Sequence, residues 1–416
     1  MSASTLDLCT ELVKSILSSH RRHVPPAEQL LASTPSPNAA TTDAGEPMAA
    51  RCLARLPTPS VLRSLFLSMF FTSPMLFRPG LAVFKTIANS KSPFLSPDRN
   101  PLLRACVKPL VYDQFCAGTN VAEIKKTSAG IKRLGFSGVV LCYGKEVQLD
   151  ANNKPIGYDG KGSSMEAEVD EWRDGNLRTL AMMDAGDWLG MKLTGAGLHI
   201  TKALLDGGPA PAKWVEAMDA LCQQARTQNA RIWIDAEQQV LQKGIDRWAF
   251  DVMRRYNTST RALVYNTVQA YLKTARDKVQ HQLATASREG WRSGIKLVRG
   301  AYISNDRRDL IHDTKEGTDK SYNSIVEDLL HGKGFPVLEK NPNFEHDLLL
   351  AGHNTQTIRG AARMASSLRS KGQLKVVPEF GQLQGMADDI GCELIQSGED
   401  ALRADTNAFI RKSTNV

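Results

Sequence analysis

GIKLVRGAY, residues 294–302, is an apolar run that opens on a glycine, carries Lys296 and Arg299 within it, and breaks at Gly300 before an aromatic residue. Six more runs of the same build lie along the chain: GFSGVVLCYG (135–144), WLGMKLTG (188–195), RIWIDAE (231–237), ALVYNTVQ (262–269), HDLLLAGHN (346–354) and LKVVPEFG (374–381). Each is short, rich in branched residues, and ends in small or polar residues, the signature of a strand buried on both faces. Between them lie longer stretches with helical spacing, such as AKWVEAMDALCQQARTQ (212–228) and TQTIRGAARMASSLRS (355–370). Strands alternating with helices predict parallel βα units. Seven such units with no G-x-G-x-x-G opening the series predict an α/β barrel of the (β/α)₈ kind rather than an open doubly wound sheet.

In such barrels, site residues gather where the strands exit into the βα loops. The sequence places polar groups there repeatedly: Lys192 and Thr194 after the second run, Asp235 and Glu237 after the third, Gln269 at the end of the fourth. Lys296, Arg299 and Tyr302 belong to the fifth, His353 and Asn354 follow the sixth, and the seventh is read as ending at Glu379, ahead of Gln382. Residues two apart share a strand face, which groups Arg231 with Trp233 and Asp235, Tyr265 with Thr267 and Gln269, and Lys296 with Val298 and Gly300. One buried charge in a strand is ordinarily a paired structural group. Polar groups at the same end of six strands in a row point instead to a site. Its chemistry is open on the residues alone. Asp235 with Glu237 suits a glycosidic carboxylate pair if the strand runs past Asp235. Lys192, Lys296 and Arg299 suit an anionic ligand, a carboxylate or a reduced flavin, whose electronics nearby charge would tune. The polar excursion KEVQLDANNKPIGYDGKGSS (145–164) reads as a loop rather than part of a site.

Composition narrows the classes. The chain has 416 residues, 42% hydrophobic and 23% charged, with a net charge of +8, which is too apolar for a disordered chain. No basic run carries interleaved aromatics, so a nucleic-acid partner is not expected. The seven cysteines, at positions 9, 52, 106, 116, 142, 222 and 392, never form C-x-x-C. That argues against a disulfide scaffold and a zinc ribbon, and no metal site is expected. No H-E-x-x-H or G-x-x-x-x-G-K-[ST] occurs.

Ahead of the strands, residues 1–60 read as a leader. Ser2, Ser4, Thr5, Arg21 and Arg22 resemble an organelle transit segment, while Asp7, Glu11 and Glu28 run against it in favour of a tail with no address. Residues 61–118 read as a helical N-terminal extension. Its most apolar part, VLRSLFLSMFFTSPMLFRPGLAVFKTIA (61–88), is interrupted by Arg63, Pro74, Arg78 and Pro79 and should not span a bilayer. A helix pair packed on the catalytic domain is the expectation, and a segment lying on a membrane surface is the alternative.

The pieces MKLTG (191–195), IDAEQ (234–238), YNTVQAYL (265–272), KLVRGAY (296–302), GHNTQT (352–357) and FGQLQGMAD (380–388), in that order, resemble the proline dehydrogenase family. The resemblance covers roughly residues 100–390. It implies a distorted (β/α)₈ TIM-type barrel over 119–390 that binds FAD non-covalently, oxidises L-proline to Δ1-pyrroline-5-carboxylate and passes electrons to a membrane quinone. It also implies a mitochondrial location and peripheral membrane contact. Carried over residue by residue, Lys192, Asp235 and Tyr302 are the catalytic positions. Gln269, Lys296, Val298, Arg299, Gly300, His353, Asn354 and Gln382 are the cofactor positions. Lys192, Tyr302 and Leu383 line the substrate. Hydride donation favours the neutral amine, which requires a proton acceptor that the sequence does not single out.

After Met386 the sequence departs from the family. The eighth strand and final helix, with their tyrosine and paired arginines, have no counterpart in the atypical tail 391–416, where Arg403 and Arg411 stand alone. Two readings of different class follow. One is a flavoenzyme oxidising proline or a related imino acid such as hydroxyproline. The other is a truncated, catalytically impaired barrel serving as a binding or regulatory protein. A folate-reducing flavin barrel is a third, weaker in its motifs.

Overall fold

The computed structural model describes residues 52–90, 92–95, 99–150, 152–156 and 163–398. Most of the leader, and the tail beyond 398, lie outside the described residues. The chain divides into two compact units, one of Met1–Phe136 with Leu383–Val416, the other Ser137–Gln382.

The first unit is helical among its described residues. Helix α1 is Thr58–Thr72, α2 is Pro74–Asn89, α3 is Pro101–Val107 and α4 is Val121–Arg133. Proline at the first turn of α1, α2 and α3 sets the backbone where no N–H is needed. Asn120 caps α4 by accepting from the Glu123 N–H. A further helix covers 388–398. Gln114 joins the two stretches of this unit, donating from Nε2 to the Gly385 carbonyl at 3.1 Å. Arg55 does the same, donating to Gln396 at 2.8 Å.

The second unit holds seven parallel strands in the sheet order β1-β2-β3-β4-β5-β6-β7. They are β1 Val140–Cys142, β2 Trp188–Met191, β3 Arg231–Ile234, β4 Val264–Gln269, β5 Ser293–Val298, β6 His346–Ala351 and β7 Glu379–Gly381. Helices cross between them: α5 Met165–Leu180, α6 Leu198–Leu205, α7 Ala212–Thr227, α8 Gln239–Tyr256, α9 Ala275–Glu289, α10 Lys315–His331 and α11 Thr355–Ser370. Ser164, Thr314 and Asn354 cap α5, α10 and α11 through their side-chain oxygens. Gly290 and Gly332 end α9 and α10 in the left-handed conformation.

All seven expected strands form, and the two helices expected at 212–228 and 355–370 are α7 and α11. One boundary is different: Glu379 begins β7 rather than ending it. Pro378 has no N–H to give a ladder, and Lys375 donates its backbone N–H to Leu330 in the last turn of α10 instead of to the sheet.

The sheet is strongly curled. Arg231 on β3 makes a two-pronged ion pair with Glu379 on β7, with one prong at 2.6 Å. Those strands are four places apart, and at about 4.8 Å per strand a flat sheet would separate them by about 19 Å, beyond the reach of both side chains. The same curl brings Trp188, Trp233, Tyr265 and Leu349 into one cluster inside the sheet. The Arg231 guanidinium lies 3.8 Å from the centroid of the Trp188 ring. The interior is therefore a filled, distorted TIM-type barrel core, and it takes in Trp233 and Tyr265, which alternation had grouped with the strand-exit residues Asp235 and Gln269. Outside it, Trp172, Trp214 and Trp248 pack the helix layer, with ring centroids 6.3 and 4.8 Å apart in turn.

Candidate functional site

Three groups of side chains form in the C-terminal half of the barrel strands and the loops that follow them, each assembled from residues on different elements. The first begins at the exit of β2. Lys192 Nζ donates to Glu146 Oε2 at 2.5 Å and to the Tyr302 hydroxyl at 3.2 Å. Tyr302 donates in turn to Glu146 Oε1 at 2.7 Å. Burial works against the Lys192 charge, but Tyr302, Glu146 and Asp235 outweigh it and hold the ammonium well above the ordinary lysine range. Burial also pushes the Tyr302 phenol well above its ordinary range, against the pull of Lys192. At neutral pH both groups are therefore donors, and Glu146 is the acceptor.

Glu146 lies in the polar excursion after β1, which the sequence suggested was a loop and not a site. It is a loop, but it belongs to the site. Val147 donates its N–H to Thr194 Oγ1 at 3.2 Å. Leu149 exchanges two hydrogen bonds with the Gln238 amide, both at 2.8 Å. Lys145 and Glu146 are the first charges after the first strand, where barrels place site residues, and that signal was available in the sequence.

The second group joins β3 to β5. Lys296 Nζ meets Asp235 Oδ1 at 2.5 Å and lies 3.8 Å from the centroid of the Trp233 ring. Asp235 extends the β3 ladder by one residue, its N–H bonding to Met191 O at 2.9 Å. Asp235 and Lys296, two strands apart in the curled sheet, thus meet in the interior. Glu237 does not join Asp235 as a carboxylate pair. Its Oε1 accepts from the Leu193 and Thr194 N–H groups at 2.8 and 3.2 Å, and its other oxygen accepts from the Thr194 hydroxyl. Burial, with Glu146 adding to it, pushes the Glu237 carboxyl up to about 7 despite these bonds. Gln269, fully enclosed at the end of β4, donates to the Glu237 carbonyl at 3.3 Å and accepts from the Ala301 N–H at 3.3 Å. It ties the β3 and β5 exits together.

The third group lies where β5 meets α11. Arg299 pairs with Asp319 and donates to Thr357 Oγ1 at 2.9 Å. Thr357 gives its N–H to the capping Asn354 at 2.9 Å. Burial lowers the His353 imidazole below its ordinary range, so the ring is neutral at pH 7. Val298 ends β5 half-buried. Gly300 has φ 143, and a Cβ there would come 2.4 Å from the Tyr271 ring, so the position requires glycine. Leu383 belongs to the other compact unit and is exposed.

The three cations do not wait as one free positive patch. Glu146, Asp235 and Asp319 respectively pair them. Among the buried donors that lack partners in the described residues are Trp233 Nε1, inside the barrel, and Gln382 Nε2, just after β7. Trp233 Nε1 lies beside the Lys296 ammonium, and Arg299 reaches the capped N-terminus of α11 through Thr357; donors and positive ends of this kind suit an anionic ligand. No cluster of His, Cys, Asp and Glu among the described residues could hold a metal ion.

The family model described as proline dehydrogenase matches residues 145–406. The probable mitochondrial proline dehydrogenase of Schizosaccharomyces pombe is 36% identical over 194 residues, 44% of this chain and 39% of that protein. Human mitochondrial proline dehydrogenase 1 is 31% identical over 267 residues, 57% of this chain and 42% of that protein. The chain thus aligns with about two-fifths of the length of each. A crystal structure of proline utilization A from Bdellovibrio bacteriovorus, inactivated by N-propargylglycine, superposes with a TM-score of 0.55 at 16% identity. It covers 85% of this chain and 39% of that one, and it supports the fold.

Proposed function

The chain belongs to the proline dehydrogenase family, and we propose that it oxidises L-proline, or a related cyclic imino acid such as hydroxyproline, to the corresponding pyrroline carboxylate with FAD as cofactor. A quinone is the electron acceptor in this reading. The observation that carries the proposal is the pair of donors at one place, Lys192 Nζ and Tyr302 OH, both directed at a single carboxylate. An ammonium and a phenol on the two oxygens of one carboxylate would bind and orient a small imino acid by its acid group.

Lys296, Arg299, Gln382 and the α11 N-terminus beside Asn354 would hold the cofactor, which when bound supplies the hydride acceptor. The chain's own part is binding and positioning. Lys192 and Tyr302 fix the carboxylate end of the substrate. Asp235 holds Lys296 over Trp233, and Gln269 keeps the β5 exit in place. Gly300 lets the backbone pass close to Tyr271. The proton of the substrate ammonium must leave before hydride transfer. Glu146 is the carboxylate nearest the donors that would hold that substrate.

Both curated relatives are named mitochondrial proteins, and we place this chain in the mitochondrion with them. Helices α1 and α2 expose Leu62, Leu65, Phe66, Met69, Met75 and Leu76. Among the described residues no single helix is long and apolar enough to cross a membrane, and α1 and α2 are bent by 97° where they meet. The exposed apolar residues support peripheral contact with a membrane surface, where a quinone would be reached.

The test is the visible spectrum of the purified chain supplied with FAD, followed as L-proline is added without oxygen. Bleaching of bound flavin, with a pyrroline carboxylate trapped as its o-aminobenzaldehyde adduct, is the expected result. Bound flavin that stays oxidised with proline and hydroxyproline would overturn the substrate, and failure to bind flavin would overturn the cofactor.

A further inference from the structure

Lys192, Tyr302 and Glu146 close a triangle of hydrogen bonds of 2.5, 2.7 and 3.2 Å. The two oxygens of Glu146 are divided between the two donors, as the oxygens of a bound carboxylic-acid substrate would be. The donors therefore form a carboxylate subsite, and the protein's own side chain occupies it. We propose that Glu146 is a built-in competitor for this subsite, which a substrate carboxylate must displace, so that Glu146 sets both the affinity of the site and its demand for a carboxylate. The inference rests on the reading that the substrate is a small carboxylate.

Three features of the fold support it. First, the other cations are committed to different partners. Lys296 is buried against Asp235, and Arg299 pairs with Asp319, which also takes Lys315 at 2.6 Å. An incoming carboxylate thus meets Lys192 as the cation whose partner comes from a connecting loop. Second, the loop around Glu146 is held. The Val147 and Leu149 N–H groups are bonded to Thr194 and Gln238, and the Lys145 side chain pairs with Glu171 at 2.9 Å. Displacement then needs only a side-chain rotation about Glu146, with the loop held in place. Third, one ammonium does not stabilise two carboxylates within about 4–6 Å of each other as well as it does one. The two acids exclude one another instead of binding together. A ligand without a carboxylate has nothing to offer Lys192 in exchange for Glu146, so the device also acts as a specificity filter.

Glu146→Gln tests this, because the amide keeps an acceptor for the two donors but gives up the charge. L-proline, L-prolinamide and acetate are titrated into the full-length chain without oxygen, by calorimetry and by the shift in melting temperature. Relative to wild type, E146Q is expected to bind L-proline and acetate at least about tenfold more tightly, as loss of a charge-assisted pair implies, with prolinamide unchanged. Lys192→Met in the E146Q background should remove the gain. Glu146→Asp, whose shorter side chain cannot reach both donors, should move affinity in the same direction if E146Q folds poorly. Proline affinity that is unchanged or weaker in both variants, in a chain whose wild type binds proline, overturns the inference and leaves the proposed reaction standing. Tighter acetate binding by E146Q with no proline binding by either protein supports the competitor and overturns proline as the substrate. No difference between wild type and E146Q for either acid overturns it outright.

Discussion

Replacing Glu237 by Gln should stabilise this protein at alkaline pH and leave it nearly unchanged at acid pH. Glu237 is 1% exposed, and burial raises its carboxyl from an ordinary 4.5 to about 7 in the folded chain. A carboxyl whose folded value is raised is stabilising only while protonated. Its contribution is greatest below about 4.5, falls as pH rises from there to about 7, and is constant above, because the unfolded chain gives up the proton first. The interval from 4.5 to about 7, at about 1.4 kcal/mol for each tenfold change in proton affinity, amounts to about 3 kcal/mol. Glutamine resembles the protonated acid, still accepts from the Leu193 and Thr194 N–H groups, and carries no such penalty. Urea unfolding of wild type and E237Q at pH 5 and pH 8 isolates the effect, since the other titrating groups cancel in the difference. E237Q should gain about 2 to 3 kcal/mol on wild type between the two conditions. If E237Q is the less stable protein at pH 8, the three hydrogen bonds to Glu237 outweigh its burial, the carboxylate is the favoured form, and the reasoning fails.

Lys296→Met should cost about 3 kcal/mol or more, because it leaves Asp235 facing the barrel interior without its partner, whereas Lys296→Met with Asp235→Leu should recover much of that loss; thermal unfolding of the single and double variants measures the coupling. Gly300→Ala forces a Cβ into the Tyr271 ring at an unfavourable φ, and should cost at least about 2 kcal/mol and weaken flavin retention, checked by unfolding and by the flavin absorbance of the purified protein.

Much of the barrel was legible because its signal is local. Alternation in RIWIDAE and ALVYNTVQ assigns Trp233, Tyr265 and Gln269 to one side of a strand, and the folded chain buries them there. The failure at LKVVPEFG is also instructive. Its apolar residues look like a strand, but Pro378 and the bond from Lys375 to Leu330 shorten β7 to three residues. For the candidate site, strand-exit position pointed to Lys192, Asp235, Lys296 and Tyr302, which the fold brings into two neighbouring groups, but it passed over Glu146. A charged residue in a polar stretch looks the same whether it faces solvent or a lysine.

What the sequence determined by itself was periodic: which runs become strands, which stretches become helices, and which residues share a face. These follow from repeats of two and 3.6 residues that each segment carries alone. Tertiary structure decided the pairing of charges. Glu146 reaches Lys192 across 46 residues and Tyr302 across 156, and Arg231 reaches Glu379 across 148. No local period encodes such distances. They are set when the sheet curls and brings the exits of separated strands together. Burial then makes each unpaired charge costly enough that the nearest opposite group becomes its partner.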